Sequence, residues 1–537
     1  MSTHVAADAP TGTPSTPSTP STPSTTATTV AGVATPAGTA APGSPTAASP
    51  TATPEQPTAR SSTAAPTAQP APNTQPSTPP ATPEPLTARS STGAPTARPA
   101  PNTQPSTPPA TPEPSTARSR AAAPTAQPAP NTQPSAPPAA VEPLVSDPPT
   151  ALFNQALRVG TPALVYDYPG IVASVRRMRE DIGVVPGAQL NMAVKACHTP
   201  DVLRRLAALG LGGDVASVGE LALAQEAGFG EITTTGPAFG PADFGAFRAA
   251  GVVVDLDSAD QLDIYGSEYP GTEIGLRVRV PLPEALQTNT TFGVNSRFGV
   301  SITDPAVHDA LRRHGLTLTR LHLHTGQMSP EALVYKTDYT LKVAARFPGV
   351  HTIDLGGGFF HLYTHRGRAR AAFARVAEMV QAWQARHGRA IALRFEPGGA
   401  ILAAHGYLFT EVRSVTGHHP HYGTRVVTVD SSAWNLAPWH KPTVLAADPA
   451  ADGGVVEPGL IAGNTLYEND FFATGIHGEL APLTFPRCRP GDRLVITAAG
   501  AYTMTNSRRF NRIPAPTEFA FEDVGGELRR LEAAPFA

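Results

Sequence analysis

The sequence predicts a closed (β/α)₈ TIM barrel, preceded by a disordered tail and followed by an all-β domain. Residues 1–147 lack the large side chains of a core, apolar strand-like runs then alternate with helix-like segments, and short β-rich runs follow. Alternating strands and helices are typical of a parallel sheet, and eight such units can close into a barrel. We therefore predict a tail over 1–147, a barrel over 148–404 and a C-terminal β domain over 405–537.

The predicted tail consists almost entirely of Pro, Thr, Ala and Ser, and a 29-residue unit recurs three times within it. The copies begin at Thr53, Thr82 and Thr111. A period near thirty can indicate a solenoid, but these copies lack the apolar face that stacked repeats bury. The composition instead predicts an extended, polyproline-like tether, and docking to a proline-binding partner is the alternative.

Composition and charge exclude several kinds of partner. The 537 residues carry a formal net charge of -3 and no long basic run, so neither a nucleic acid nor a membrane is predicted as a partner. The N-terminus lacks the pattern of a signal peptide, and no apolar run is long enough to span a bilayer. Cys197 and Cys488 are the only cysteines and form no metal-ligand spacing, which favours a cytoplasmic protein without a metal site.

Eight candidate strands, each followed by a helix-like segment, make up the predicted barrel. They span 188–196, 212–217, 231–236, 252–258, 274–280, 318–326, 352–358 and 392–398. Three of them end in the motifs His324-Thr325-Gly326, Gly356-Gly357-Gly358 and Glu396-Pro397-Gly398. Because barrel chemistry lies at the carboxyl ends of the strands, these motifs mark the predicted site. Past residue 405, β-rich runs such as 425–429 and 493–497 predict the second domain.

Lys195 ends the apolar run 189–197 and is one of four lysines against thirty-six arginines. Only a lysine amine can lose its proton in a dry pocket and attack an aldehyde to form a Schiff base. The alternative is a strand-end lysine whose ammonium reaches water. This stretch by itself leaves both interpretations open.

Several motifs follow one another in the order and approximate spacing of one enzyme family. They are Ala193-Val194-Lys195-Ala196, Gly213-Asp214-Val215-Ala216-Ser217 with Glu220, His324-Thr325-Gly326, Asp354-Leu355-Gly356-Gly357-Gly358, Glu396-Pro397-Gly398, Asp470, and Gly500-Ala501-Tyr502. Over residues 148–537 the chain resembles the fold-type III pyridoxal-phosphate-dependent decarboxylases, the diaminopimelate/ornithine decarboxylase group. The resemblance implies an alanine racemase-like barrel, a small amino-acid substrate, and a homodimer whose sites are each completed by the partner's β domain.

The resemblance also implies which residues bind pyridoxal 5'-phosphate. Lys195 would carry the cofactor as a Schiff base, and His324 would lie against its ring, although His322 shares the same strand face. Gly356, Gly357 and Gly358 would bring backbone N–H groups to the phosphate. Tyr502 would add a hydroxyl there. Arg277 would lie near the cofactor, with Arg279 as the alternative.

Glu396 separates decarboxylation from racemisation. A carboxylate beside the pyridine nitrogen keeps that nitrogen protonated, so the ring accepts the electron pair left when carbon dioxide departs. Alanine racemases place an arginine there instead. The resemblance therefore implies an amino-acid decarboxylase, and Asp430 and Asp470 match acidic residues that would bind the ammonium of a basic substrate side chain.

The chain departs from the family pattern at four places. Gly399 stands where an arginine is expected and Gln327 where a serine is expected, so two phosphate contacts are replaced. The segment that carries a proton-donating cysteine across a dimer interface has no cysteine here. Tyr467 and Glu468 in that segment are the candidate acids.

The fourth departure concerns the substrate. Ala437-Pro438 replaces the Arg-Pro of the diaminopimelate enzymes, and Tyr467 replaces their substrate-reading glutamate. Diaminopimelate itself is therefore not favoured. The alternatives to an amino-acid decarboxylase are a racemase or decarboxylating deaminase on the same scaffold, and a non-catalytic protein that binds the cofactor.

Overall fold

The computed structural model describes residues 147–532, apart from 289, 290, 292, 448–453, 473, 475–478 and 524. The predicted tail, except for residue 147, lies outside the described residues. The described part contains a closed eight-stranded barrel and a nine-stranded sheet. The predicted fold class of a (β/α)₈ barrel with an all-β domain is confirmed.

Eight parallel strands form the barrel, each paired with the next and the last paired with the first. They span Gln189–Ala193, Gly212–Val215, Ile232–Thr235, Val254–Leu256, Glu273–Arg277, Thr317–His322, Thr352–Asp354 and Ala392–Phe395. The strands are shorter than the sequence predicted. The polar residues of the predicted site therefore lie mostly in the turns that follow the strands, at the end where barrel enzymes carry their chemistry.

Helices connect the barrel strands and cover their outer face. They span Tyr168–Ile182, Pro200–Ala208, Val218–Ala227, Pro241–Ala249, Ala259–Glu268, Pro305–His314, Pro330–Ala344, Phe359–Leu362, Arg366–His387 and Gly399–Leu402. Local residues define their ends. Before Val218–Ala227, the Ser217 hydroxyl accepts from Glu220 N–H at 3.1 Å, and Gly228 follows with a left-handed φ of 83°.

The barrel interior contains a buried ion pair as well as aliphatic side chains. Arg320 Nε donates to Asp255 Oδ1 at 2.8 Å, and both side chains are buried. Gly275 on the next strand makes room for this pair, because a Cβ there would lie 1.5 Å from Asp255 Oδ1. A buried charge pair is tolerated only when its geometry is good, so this glycine is a packing requirement.

The β domain consists mainly of residues beyond 405 but includes a strand from before the barrel. Its strands span Ala163–Asp167, Gly406–His419, Thr424–Val429, Val444–Ala446, Val456–Ala462, Leu483–Pro486, Arg493–Ile496, Thr517–Phe521 and Arg529–Arg530. Smaller helices are Thr150–Ala156 and Ala433–Leu436, and 3-10 turns span Val194–Ala196, Glu284–Leu286, Tyr363–His365, Ala403–His405 and Phe510–Arg512.

Strand Ala163–Asp167 differs from the predicted division of the chain, which assigned 148–404 to the barrel. It pairs antiparallel with Gly406–His419 and parallel with Thr517–Phe521, so it lies inside the sheet of the β domain. All five of its residues are buried. A strand covered on both faces shows only a short apolar run, which does not reveal the sheet it joins.

No helix in the described part of the chain is both long enough and apolar enough to cross a bilayer.

Candidate active site

Lys195 lies in the 3-10 turn Val194–Ala196, two residues past the end of the first barrel strand. The register pairs Ala193 with Asp214 on the neighbouring strand, which brings the Asp214 carboxylate beside the lysine. Lys195 Nζ donates to Asp214 Oδ2 at 2.9 Å, and the lysine side chain keeps 40% of its surface exposed. Burial opposes the lysine charge, but Asp214 and Glu396 outweigh it and raise the pKa of Lys195.

Glu396 follows the last barrel strand and is buried. Its Oε1 atom has no hydrogen-bond partner among the described residues and lies 3.4 Å from His322 Nε2. Burial, together with the nearby Asp214 carboxylate, raises the pKa of Glu396 to about 8, although Lys195 opposes the shift. The Glu396 carboxyl therefore binds a proton more readily than an exposed glutamate does.

Asp354 and His322 lie behind Glu396, and the three residues offer ligand atoms within 4.8 Å of one another. Asp354 Oδ1 accepts from Gly356 N–H at 2.9 Å, while Oδ2 has no partner among the described residues. Burial raises the pKa of Asp354 to about 8. One histidine and two carboxylates at this spacing could also hold a metal ion, so the absence of a metal site stays a prediction.

The raised pKa of Asp354 predicts a pH-dependent stability of the cofactor-free protein. An unfolded aspartate loses its proton near pH 4, whereas folded Asp354 keeps it up to about pH 8. The unfolded state binds fewer protons in this window, so stability falls as pH rises, by up to roughly 1.4 kcal/mol per pH unit. Urea unfolding should show that Asp354→Asn gains stability over wild type from pH 5 to pH 8. Parallel pH profiles for the two proteins would contradict the shift, and Asp338→Asn on the surface serves as the control.

His324 and the glycine-rich turn form one wall of the site. His324 Nδ1 accepts from Gly357 N–H at 3.1 Å, which fixes the orientation of the ring. Burial and the charge of Lys195 lower the pKa of His324, so its imidazole is neutral. A neutral, fixed ring suits contact with the flat face of an aromatic cofactor.

The three glycines of this turn have no room for side chains. A Cβ at Gly356 would lie 2.6 Å from Leu323 O, and a Cβ at Gly358 would lie 2.1 Å from Gly326 O. Both residues also have positive φ angles, 67° and 96°, which favour glycine. The turn therefore requires glycine at these positions, and it packs closely against the turn at His324 and Gly326.

Arg277 lies at the end of its strand, with its guanidinium 4.6 Å from the centre of the Phe298 ring and Nε 3.5 Å from Asp257 Oδ1. Burial lowers the pKa of Arg277, and the charges of Asp257 and Glu396 oppose that shift. Arg279 instead donates to Phe298 O at 3.2 Å. Of the two arginines, Arg277 is the one that is buried and close to the carboxylates of the site.

Tyr502 reaches the barrel mouth from the β domain. Its backbone N–H donates to Ala196 O at 2.9 Å, so it is fixed to the turn that carries Lys195. Its hydroxyl lies 2.8 Å from the position that a Cβ at Gly398 would occupy. Tyr502 therefore lies between the Lys195 turn and the Glu396-Pro397-Gly398 motif, and its predicted contact with the cofactor phosphate stays a prediction.

Gly500 holds this contact between the two domains in place. A Cβ at this position would lie 2.0 Å from Leu402 O and 2.8 Å from Gly406 N. Gly500→Ala should therefore lower the free energy of unfolding by about 1–3 kcal/mol, because the backbone around Leu402 and Gly406 must move away. Chemical denaturation measures the effect, and Gly417→Ala is the matched control because nothing lies within 4 Å of a Cβ there. Equal stability of the two variants would contradict the close packing.

The two predicted substrate aspartates hydrogen-bond within the β domain and are not brought to Lys195. Asp430 accepts from Thr161 Oγ1 at 2.7 Å and from Arg413 at 3.1 Å. Asp470 accepts from Ser432 Oγ at 2.8 Å, with further bonds from Thr465 and Trp434. A substrate ammonium would have to replace hydrogen-bond donors that Asp430 and Asp470 already have.

The two predicted acids lie at the surface of the β domain. The ring of Tyr467 stacks on Trp434 with 3.9 Å between centroids, and Glu468 is exposed. Leu466 beside them keeps 88% of its surface exposed. Within one chain, this segment has no described contact with the Lys195 turn.

Four residues near the site were not assigned a role from the sequence. Asp214 contacts Lys195, Asp354 lies behind Glu396, and buried Lys336 donates to Leu355 O at 2.7 Å, under the glycine-rich turn. His440 lies against Gly399. The position of Asp214 and Asp354 inside quoted motifs was a usable signal, whereas nothing near Lys336 or His440 in the sequence indicates proximity.

The donor set of this site fits pyridoxal 5'-phosphate. The amine of Lys195 could form a bond with the aldehyde carbon of the cofactor. Glu396 Oε1 has no hydrogen-bond partner among the described residues, and a pyridinium N–H could donate to it. The glycine turn lies beside His324, which offers a neutral ring. The sequence indicated no second place where a lysine amine, a buried carboxyl and a glycine-rich turn would come together.

Comparisons with known proteins find relatives over this part of the chain. The family pattern described as "Pyridoxal-dependent decarboxylase, pyridoxal binding domain" matches residues 170–403. The diaminopimelate decarboxylase of Escherichia coli (strain K12) is 28% identical over 393 residues, covering 69% of this chain and 91% of that protein. The lysine/ornithine decarboxylase of Selenomonas ruminantium is 26% identical over 408 residues, covering 70% and 93%.

Solved structures show the same likeness. A crystal structure of a diaminopimelate decarboxylase matches with a TM-score of 0.61 and 26% identity, over 71% of this chain and 94% of that chain. The lysine decarboxylase of Selenomonas ruminantium matches with a TM-score of 0.57 over 69% of this chain and 95% of that chain. Its identity is 21%, so that likeness concerns the fold alone.

Proposed function

The chain belongs to the fold-type III family of pyridoxal-phosphate-dependent amino-acid decarboxylases, and from this premise we propose that it decarboxylates an amino acid with a basic side chain at the Lys195 site. Its cofactor is pyridoxal 5'-phosphate. One observation carries the proposed site: the amine of Lys195 and the unpartnered Oε1 of Glu396 lie at the ends of adjacent barrel strands and interact electrostatically.

Lys195 would anchor the cofactor and release it to the substrate amine. The lysine must lose a proton before it acts as a nucleophile, and Asp214 Oδ2, 2.9 Å from Nζ, is placed to accept it. When bound, pyridoxal phosphate supplies an electron sink for the bond that breaks as carbon dioxide leaves.

Glu396 would control the proton at the pyridine nitrogen. Since burial raises the pKa of this carboxyl to about 8, Glu396 could share a proton with a basic nitrogen that faces Oε1. A proton shared between them makes the ring a stronger electron acceptor than a neutral pyridine. This property favours decarboxylation over racemisation.

The remaining residues would bind and orient. His324 holds a neutral ring against the cofactor plane, and the turn at 356–358 offers backbone to the phosphate. Tyr502 closes the site from the β domain, and Arg277 supplies a buried positive charge near the carboxylates. Together they exclude water from the reacting carbon, which strengthens each electrostatic contact.

A basic substrate is supported by relatives whose names specify diaminopimelate, or lysine and ornithine. Such a side chain needs a carboxylate at its far end. Asp430 and Asp470 are the proposed groups; since neither is brought to Lys195 of its own chain, each would serve the site of the other subunit and exchange a present hydrogen bond for the ammonium. Because Ala437 and Tyr467 differ from the residues of the diaminopimelate enzymes, diaminopimelate itself is not proposed as the substrate.

We propose a homodimer in which the segment at 466–468 serves the site of the other subunit. The exposed Leu466 and Glu468 and the stacked Tyr467 support this, because they lie outside the site of their own chain. Mixing inactive Lys195→Ala with inactive Tyr467→Phe should then restore roughly a quarter of wild-type activity, since half the dimers would carry one intact site. Activity that stays at zero after subunit exchange would argue against shared sites.

The cytoplasm is the proposed compartment. The sequence contains two cysteines, Cys197 and Cys488, which are too few for a disulfide framework. A chain without such a framework is typical of proteins in reducing surroundings.

The central test is a product analysis on the purified protein. Borohydride should trap the cofactor on Lys195, which peptide mass spectrometry would locate. Carbon dioxide release should then appear with lysine, ornithine or another basic amino acid. Trapped cofactor without carbon dioxide from any amino acid would sink the proposal, and an aldehyde in place of an amine would identify a decarboxylating deaminase.

A further inference from the structure

His440 has a buried ring nitrogen with nothing to bind. It lies in the loop after helix Ala433–Leu436, and its Nε2 has no hydrogen-bond partner among the described residues. The ring packs against Phe360, with 4.5 Å between centroids, and lies 6.0 Å from the Tyr502 ring. A buried polar atom without a partner is unfavourable unless a ligand satisfies it.

Because Gly399 has no side chain, His440 Nε2 can lie directly beside it. A Cβ at Gly399 would lie 2.8 Å from His440 Nε2 and 3.6 Å from the Tyr502 ring. A side chain at position 399 would therefore meet the His440 ring, which would have to move to make room for it. His440 and Gly399 are complementary, and the histidine ring fills space that would otherwise belong to a side chain after the Glu396-Pro397-Gly398 motif.

The surroundings of His440 belong to the cofactor site. Phe360 is the second residue after Gly358, which ends the glycine-rich turn, and Tyr502 is fixed to the Lys195 turn through Ala196 O. The Nε2 atom thus lies between the two elements proposed for the phosphate. The family pattern implies an arginine for that phosphate after the Glu-Pro-Gly motif, and this chain has Gly399 there.

We propose that His440 donates a hydrogen bond from Nε2 to the cofactor phosphate, in place of a side chain at position 399. This contact rests on the proposed function, because it requires pyridoxal phosphate at the Lys195 site. A neutral imidazole donates through Nε2–H in one of its tautomers, so no charge is needed. Burial lowers the pKa of His440 to about 4, which agrees with a neutral donor.

The test separates the phosphate from the rest of the cofactor. Full-length wild type and His440→Ala are titrated with pyridoxal 5'-phosphate and with pyridoxal, which lacks the phosphate, and binding is followed by cofactor absorbance. His440→Ala should weaken pyridoxal phosphate binding about tenfold or more, the scale of a hydrogen bond to a charged group. Pyridoxal binding should not change. The phosphorus NMR signal of the bound cofactor should also shift in the variant.

Two further variants give independent readouts. His440→Gln keeps an N–H donor and should recover part of the lost affinity. Gly399→Arg should weaken binding when His440 is present, because the two side chains collide, but should restore binding in the His440→Ala background. His418→Ala, an exposed histidine of the β domain, is the control.

The outcomes distinguish this contact from the proposed function. If His440→Ala binds both ligands as wild type does, or weakens both equally, the phosphate contact is overturned while cofactor binding stands. If wild type itself does not bind pyridoxal phosphate on Lys195, the proposed function fails, and the His440 contact fails with it. A selective loss that Gly399→Arg reverses supports the proposal.

Discussion

Replacing Lys195 with alanine should remove decarboxylase activity, by at least about 10³-fold, because no other described amine lies beside Asp214. The absorbance of a lysine-bound cofactor should disappear, and borohydride should trap nothing on the protein. Steady-state carbon dioxide release and peptide mass spectrometry together measure the effect. Folding should be retained, since the Lys195 side chain is partly exposed and its backbone contacts stay.

Lys342→Ala is the matched control for this prediction. Like Lys195, Lys342 forms an ion pair with an aspartate, here Asp338. Both of these side chains lie at the surface, on helix Pro330–Ala344. Surface ion pairs contribute little, so activity and stability should match wild type. Wild-type turnover in the Lys195→Ala protein would remove the lysine from the mechanism.

Glu396→Gln should lower kcat by roughly 10²–10⁴-fold while the cofactor still forms its bond with Lys195. Glutamine has nearly the same shape, but it cannot give a proton to the pyridine nitrogen, so the ring becomes a weaker electron acceptor. The borohydride-trapped fraction should equal that of wild type. Loss of turnover without loss of cofactor is the expected signature.

Glu226→Gln, on the outer surface of the barrel, controls for a general effect of losing a carboxylate. If Glu396→Gln kept wild-type kcat, protonation of the ring nitrogen would not limit the reaction. If the variant lost the cofactor altogether, Glu396 would have a binding role instead. Either result would revise the distinction between decarboxylation and racemisation that this residue supports.

Local sequence patterns were sufficient for the barrel. Each strand and helix is a short, apolar or periodic run with its own end signals, such as Ser217 and Gly228 around one helix. Motifs at strand ends then share one face, because parallel strands all end on the same side. Lys195, His324 and Glu396 were therefore predicted to lie near one another, and the structure brings their side chains into one network of charges.

Local sequence patterns did not predict the contacts between distant parts of the chain. The strand Ala163–Asp167 lies among residues more than two hundred positions away, and its run of apolar residues would suit either sheet. The hydrogen bonds of Asp430 and Asp470 likewise depend on neighbours that only folding supplies. Burial and pairing are properties of the assembled core, so they have no local signature.

The sequence by itself determined the fold class, the family resemblance and the lysine, because these depend on ordered local motifs and on residue chemistry. Only the tertiary structure decided which residue lies beside the glycine at position 399. In the sequence, Gly399 indicates only that a side-chain contact to the phosphate is missing. In the folded chain, His440 occupies the adjacent space, and its Nε2 atom has no hydrogen-bond partner among the described residues. The physical reason is that a side chain's partners are set by three-dimensional packing, which joins positions that no local pattern connects.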